Sequence, residues 1–412
     1  MKCATLAVAA GTLLTLTACG GAGDDGGVEI EVMTGLQQGQ IAFKAVEAAT
    51  KEFEAANPNI DVRLVPGTPS YEQDMKVRLA SRDVPDVFNT HGWSRDRYKE
   101  FLIPLSDQPW ADKLNPALDK AMRDTDRKFY ALPFDTQVSG FSYNVSVLAD
   151  NGIDPASLTT WEAFDAACAK LKAVGIIPIG ASGKDGWTGG NLADWLATSH
   201  YDAAELKSLD AGTFDAAAYK PVLEQLSSWR KEGFFNKDYS SATGTDLTRL
   251  LATGKIAFTS HGPGVAPAAQ EINPDVKLGF MPIPSSVIGP FLVSGEATAF
   301  GAAKGGAHSK EALAYLEFLA QPKTLSKLAG TFGATPGLTS ATSDLGMMQA
   351  SYDRWVVEAK TPVHAYFDRV HLPNGMWNTM VTTADAMITG QGDSDDGAAQ
   401  MKKAFDGLYG QD

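Results

Sequence analysis

Between Val28 and about residue 300, apolar residues switch repeatedly between a period of two and a period near 3.6, and this alternation restricts the chain to an α/β architecture. Val28, Ile30 and Val32 alternate with polar neighbours, the pattern of a half-buried strand. From Gln40 to Ala56, Phe43, Val46, Thr50 and Phe53 recur at helical spacing until Asn57-Pro58 stops the run. Ile60, Val62 and Leu64 alternate again, so the opening reads strand, helix, strand. A helical stretch ending at Leu79 and a short buried strand over Pro85 to Asn89 follow, which predicts a lobe on a mostly parallel sheet. Further on, strands are predicted at Phe141 to Asn144, Ile176 to Gly180 and Lys255 to Ser260. Thr159 and Glu162 form a capping box for the helix holding Trp161 and Phe164. Ser309 to Leu328 and Met376 to Ile388 read as helices. Trp161, Trp195, Trp229 and Trp355 fall inside helical patterns and are expected in the core. Repeats of short period are absent, which sets aside solenoids and propellers.

The chain of 412 residues is 44% hydrophobic and 20% charged, enough to bury two or three domains of ordinary size. With 35 Lys and Arg against 49 Asp and Glu, the formal net charge is −14, so a basic footprint for nucleic acid is excluded. Lys2 precedes an apolar run, Ala4 to Leu16, shorter than the roughly 20 residues of a membrane span, and residues 1–18 read as a signal peptide. Leu16-Thr17-Ala18-Cys19 resembles a bacterial lipobox. The resemblance implies cleavage before Cys19, acylation of its sulfur with palmitate, and a lipidated flexible tether over residues 19–27. Of the three cysteines, Cys3 leaves with the signal and Cys19 is acylated, so Cys168 remains alone and no internal disulfide is possible. Cys168 lies on the apolar side of a helix, where a buried, inert thiol is expected.

The usual catalytic constellations are missing. There is no G-x-S-x-G elbow, no H-E-x-x-H, no P-loop and no G-x-G-x-x-G after a strand. The six histidines are never paired at i, i+4 and have no cysteine partners, so neither metal nor any other cofactor is expected. Asp393-Ser-Asp395-Asp396-Gly397 has its glycine one position early for a calcium loop and reads as a helix cap. A secreted lipoprotein glycan hydrolase, working with two unlocated carboxyls, is the alternative from another class.

Several segments resemble, in order, the extracellular solute-binding proteins of bacterial ABC importers, in the sugar-binding branch that includes the maltodextrin-binding proteins. They are the lipobox, the first helix ending Phe53-Glu-Ala-Ala-Asn-Pro, Pro85 to Phe88, Leu132-Pro133-Phe134 running into Tyr143-Asn144, Thr160 to Phe164, Gly254 to Phe258, Gly262-Pro263, and Gly330 to Pro336. The resemblance implies an α/β, two-lobe type II periplasmic-binding-protein-like fold with an interlobe cleft and hinge. Lobe 1 would comprise 28–137 and 295–338, and lobe 2 138–294 and 339–412. It implies no catalysis: a monomer tethered by its lipid to the extracellular face of the cell membrane captures a mono- to trisaccharide and delivers it to the transmembrane permease subunits.

A carbohydrate presents apolar C–H faces and a rim of hydroxyls, so its site needs aromatic shelves and side chains offering paired hydrogen bonds. By resemblance the cleft residues are Gln37 and Gln38 after the first strand, Thr90, His91 and Trp93 after the third, and Asp135 and Gln137 at the first crossing. Gln137 matches a carboxylate ligand of the maltose-binding relative. Trp187 follows in a glycine-rich loop, then His261 and Gly264, Glu296 beside the second crossing, and Trp377 in the last part of the chain. Gly264 departs from the family, which often has a stacking tryptophan directly after Gly-Pro. That absence argues against a long maltodextrin.

Overall fold

The computed structural model describes residues 27–68, 71–90, 94–185 and 187–410. In the first lobe β1 (Val28–Gln37), β2 (Ile60–Gly67) and β3 (Val87–Thr90) are laid down in turn, with β1 parallel to both neighbours. The helix Ile41–Ala56 buries Phe43, Val46, Thr50 and Phe53, the four positions its periodicity selects. Thr50 is tolerated there because its hydroxyl lies 2.7 Å from that of Tyr315. After β4 (Leu132–Pro133) the chain crosses along β5 (Asp135–Ser139). In the second lobe β6 (Phe141–Asn144), β7 (Ile177–Gly180), β8 (Ile256–Thr259) and β9 (Leu278–Met281) form a sheet in the order β7-β8-β6-β9. The chain returns along β10 (Leu292–Gly295) to β11 (Ala299–Ala302), which completes the first sheet as β2-β1-β3-β11-β4. Two short strands, β12 (Thr335–Pro336) and β13 (Val363–Ala365), flank the crossing pair in a third sheet, β12-β5-β10-β13.

The result is a bilobed α/β fold with a separate apolar core in each lobe. Phe53, Trp110, Phe129, Phe134, Phe300 and Tyr315 anchor the first. In the second, Phe141 stacks on Phe164 at 4.8 Å and meets Trp195 edge-on at 5.2 Å. Cys168 is fully buried in this core, and burial pushes its thiol well above the usual range.

Four expectations are corrected. The sheets are mixed rather than mostly parallel: β11 runs antiparallel to β3 and β4, and β6 antiparallel to β8 and β9. The reason lies in the return crossing: β11, which follows it, enters the sheet against the direction of β1 and lies between β3 and β4, which both run with β1. The helix Trp161–Ala173 is capped by Thr160, whose hydroxyl oxygen accepts the Ala163 N–H at 3.3 Å; the Thr159 carbonyl instead takes the Ser285 N–H. Ser309 to Leu328 is two helices, Ser309–Leu319 and Pro322–Gly330, because Pro322 has no N–H to continue the ladder and Gln321 before it is extended. Trp355 is only partly buried: its indole N–H donates to the Phe280 carbonyl at 2.8 Å while Arg354 lies over its ring. Asp393 does cap a helix, Ser394–Leu408, accepting the Asp396 N–H at 2.9 Å.

The crossing strands pair antiparallel through Gln137↔Gly295, Val138↔Ser294 and Ser139↔Val293. Asp135, at the start of β5, is fully buried, and its carboxylate accepts the Ala297 N–H at 3.0 Å and the Thr298 N–H at 3.1 Å. It thus clasps the chain just past β10, so the expected ligand-holding Asp135 is a structural carboxyl behind the cleft. Burial pushes this group up to about 7, outweighing the two amide bonds that favour its charged form. A carboxyl raised on folding contributes stability that is fully present below its unfolded value of about 4 and lost as the pH rises through its folded value. Relative to Asp135→Asn, which cannot ionise, the wild type is expected to lose stability across that window, by at most about 1.4 kcal/mol per pH unit. Urea unfolding of both proteins across the window checks this, and a pH-independent difference contradicts it.

Candidate functional site

Between the lobes lies a cleft with two chambers. The inner one, about 670 Å³, is walled by the second lobe at Trp187, His261 and Gly264, floored by Gln137, Ser139, Gly295 and Glu296 of the crossing strands, and faced from the first lobe by Gln40 and Phe332. The outer one, about 430 Å³, runs between Lys76, Arg95 and Arg97 of the first lobe and Asn374 and Trp377 of the second. Asn191, Tyr366 and Arg369 line both, so the chambers meet there. Each volume falls in the ordinary range for a small-molecule site.

The wall is built by the start of one buried helix, Trp187–His200. Thr188 just inside it exchanges bonds with Ser182: its Oγ1 accepts the Ser182 N–H at 2.7 Å and donates to the Ser182 carbonyl at 2.9 Å. The Ser260 hydroxyl donates to the Thr188 carbonyl at 3.1 Å, and Asn191 Nδ2 donates to the Ser260 carbonyl at 3.3 Å. These bonds tie the loop after β8 to the helix and bring the imidazole of His261 parallel to the Trp187 indole, 4.5 Å apart at 5°. Burial holds the imidazole down to about 4, so it is neutral at physiological pH and keeps one donor and one acceptor nitrogen. Its Nδ1 and the Ser139 hydroxyl are buried with no hydrogen-bond partner among the described residues. Two unsatisfied polar atoms just beneath the wall, beside an aromatic stack that lines it, suit hydroxyls and C–H faces.

Gly264 marks the place where the lobes touch. A Cβ there would lie 3.1 Å from the Phe332 carbonyl oxygen, and one on Gly333 would lie 3.0 Å from that of Pro263. A side chain at 264 would press on that carbonyl, and the lobe-1 residue Phe332 contributes aromatic surface to the same chamber. At the outer chamber Arg97 donates to the Asn374 side chain at 2.7 Å across the lobes, while Glu72 holds the same guanidinium at 2.8 Å. The floor is set by Arg369, packed 4.3 Å over the Tyr366 ring with Nη1 3.6 Å from the Glu296 carboxylate. It rests against Gly295, where any Cβ would run into the guanidinium. Under this floor the Asp194 and Asp368 carboxyls lie together, and burial drives both above the usual carboxylate range.

Of the residues expected from sequence, Gln137, Trp187, His261, Gly264 and Glu296 come together in the inner chamber, and Trp377 lines the outer one. Trp377 also packs on the second core, where a Cβ on Gly190 would meet its ring at 2.8 Å. Gln37 and Gln38 are exposed at the end of β1 and line neither chamber; Gln40, whose Oε1 accepts the Gln37 N–H at 2.9 Å, takes that place. Thr90 is buried with its hydroxyl 3.0 Å from that of Ser94, away from both chambers. His91 and Trp93 lie outside the described residues. Asn191, Phe332, Tyr366 and Arg369 were not singled out. Nothing local marks them, although Phe332 lies within the Gly330 to Pro336 segment and Asn191 stands one helical turn after Trp187.

Comparison with known proteins bears on this cleft. Residues 38–325 match the family described as bacterial extracellular solute-binding protein. The melibiose/raffinose/stachyose-binding protein MelE of Bacillus subtilis (strain 168) is 33% identical over 355 residues, spanning 84% of this chain and 81% of that protein. A sugar transporter structure from Bacillus licheniformis in complex with stachyose superposes with a TM-score of 0.83 at 30% identity, covering 92% of this chain and 100% of that one. An open conformation of the putative binding protein MsmE of Bacillus subtilis gives 0.81 at 28% identity, covering 94% and 99%.

Proposed function

Because this chain belongs to the bacterial extracellular solute-binding proteins, we propose that it is the lipid-anchored capture subunit of a carbohydrate ABC importer, closing two lobes on a short oligosaccharide and handing it to the permease. Its bilobed α/β architecture is the periplasmic-binding-protein-like fold typical of that family. It is an extracellular carbohydrate-binding protein and not a catalyst, so the glycan hydrolase reading is set aside.

The observation that carries the reading is the inner chamber, where the Trp187–His261 stack stands beside the buried, unpaired His261 Nδ1 and Ser139 Oγ, with lobe-1 residues opposite. Two chambers joined end to end favour a chain of sugar units over a single hexose, and melibiose, raffinose and stachyose are the first candidates. Trp187 is the inner shelf, Trp377 the outer, and Gln137, His261 and Glu296 are the polar partners. A lobe division at 28–137 with 295–338 against 138–294 with 339–412 follows the two cores except just after 338, where Ala341 packs in the first core and the Thr342 N–H donates to Ser326, and on this reading the hinge lies at β5 and β10. Attachment rests on Cys19, which precedes the described residues; Cys19→Ser is expected to move the protein from the membrane fraction to the medium, and its retention on membranes contradicts the anchor.

Calorimetry with the three sugars tests the site. A wild-type complex at 100 times its dissociation constant is expected to gain roughly 2.7 kcal/mol of stability. Trp187→Ala is expected to weaken binding about 30-fold with little change in the unliganded melting temperature, and Trp377→Ala to weaken raffinose and stachyose more than melibiose while also lowering the melting temperature, since its ring packs on the second core. Melting temperatures that fall with affinities unchanged mean that both rings serve packing alone.

A further inference from the structure

The turn Phe367–Val370 has only four residues and one buried apolar side chain, yet with Tyr366 before it, it delivers Tyr366 and Arg369 to both chambers and Asp368 to the outer one. So short a helix does not hold its own orientation. What holds it is Asp194, fully buried on the helix Trp187–His200, 173 residues away in sequence. One carboxylate oxygen accepts the Phe367 N–H at 3.1 Å and the other the Asp368 N–H at 2.8 Å. These are the first amides of the turn, which its own backbone leaves unpaired. Spacing adds a second constraint. Trp187, Asn191 and Asp194 stand at i, i+4 and i+7, so they share one face of the helix. The Trp187 shelf, one of the side chains common to both chambers, Asn191, and the clamp on the floor are therefore parts of one element.

We propose that Asp194 is the positioning residue of the sugar site: by taking one amide on each oxygen it fixes the rotation of the Phe367–Val370 turn, and so sets the Arg369 guanidinium at the junction of the chambers, in register with the Trp187 shelf. The inference rests on reading the cleft as the sugar site. Arg369 is held at its far end by Glu296, whose carbonyl accepts from Nη1 at 3.3 Å, so a rotated turn pulls the guanidinium off the crossing strand. Asp194 itself lines neither chamber and acts only through the turn.

The test uses the full chain with Asp194→Asn, which keeps one acceptor oxygen and the side-chain shape, and Asp194→Ala, which keeps neither. Melibiose, raffinose and stachyose are the probes in calorimetry, with site-resolved amide exchange of the unliganded proteins alongside. The Asn variant is expected to bind roughly 10-fold more weakly and the Ala variant more weakly still. The Phe367 and Asp368 amides exchange faster while those of Leu192 to Trp195 stay protected. Because both residues act at one point, Asp194→Asn added to Arg369→Ala weakens binding little beyond Arg369→Ala alone. A folded Asp194→Asn protein with wild-type affinity overturns the inference, as does a fully additive double variant. If Trp187→Ala and Arg369→Ala also leave affinity unchanged, the reading of the cleft falls with it; if those two weaken binding and Asp194→Asn does not, the positioning role alone is wrong.

Discussion

Two strands of opposite direction, β5 and β10, run side by side between the lobes, and the position of every wall of the cleft is referred to that pairing. Gln137 and Gly295, partners in its register, both face the inner chamber, and Asp135 pins the chain beyond β10 with two amide bonds from behind. A buried carboxyl with only amides as partners is costly in its ionised form, which is why its proton is held to about 7. The pairing is narrow enough to bend while its register is retained, the combination a hinge requires. Glycine at 295 matters for the same reason: Arg369 from the second lobe lies where a side chain would stand, so the floor is carried on the hinge strand itself.

The cleft joins apolar and polar chemistry, and beside Glu296 its inner chamber carries a second acidic side chain, Asp185, whose carboxylate accepts the Gly244 N–H. His261 is neutral, Arg369 stands against Glu296, and Trp187 and Phe332 supply aromatic surface from opposite lobes. A neutral ligand that is rich in hydroxyls meets such a surface at a smaller desolvation cost than an ionic one, because little charge has to be stripped of water on either side. The outer chamber differs. Arg95, Arg97 and Lys76 face Glu72 and Asp96 there, and the Arg97–Asn374 bond spans the two lobes at its edge. Closure therefore has protein contacts of its own, at Arg97 on one side and at the Gly264–Phe332 seam on the other.

Much of this was legible in sequence, for identifiable reasons. Phe43, Val46, Thr50 and Phe53 lie on a long amphipathic helix whose period is unambiguous, and Asp393 caps through a local bond three residues away. The residues that sequence misplaced depend on long-range contacts. Asp135 clasps amides 162 and 163 positions on, and a polar run next to a crossing reads the same whether it faces ligand or backbone. Gln40 rather than Gln37 or Gln38 reaches the chamber because the turn after β1 decides which glutamine points inward. Arg369 and Tyr366 stand in a short irregular segment without periodicity, and their place follows from Asp194 on a helix far away in the chain. The missing shelf at Gly264 was visible, but that a side chain there would press on the Phe332 carbonyl depends on how the lobes meet.

A crystal structure of the mature protein grown with raffinose tests the central claim most directly. The account predicts one sugar chain running through both chambers, with a ring against the Trp187–His261 stack, hydroxyls on His261 Nδ1 and Ser139 Oγ, and Arg369 beside the junction. Sugar bound outside the cleft, or a cleft in which Trp187 and His261 touch no part of it, would contradict the account.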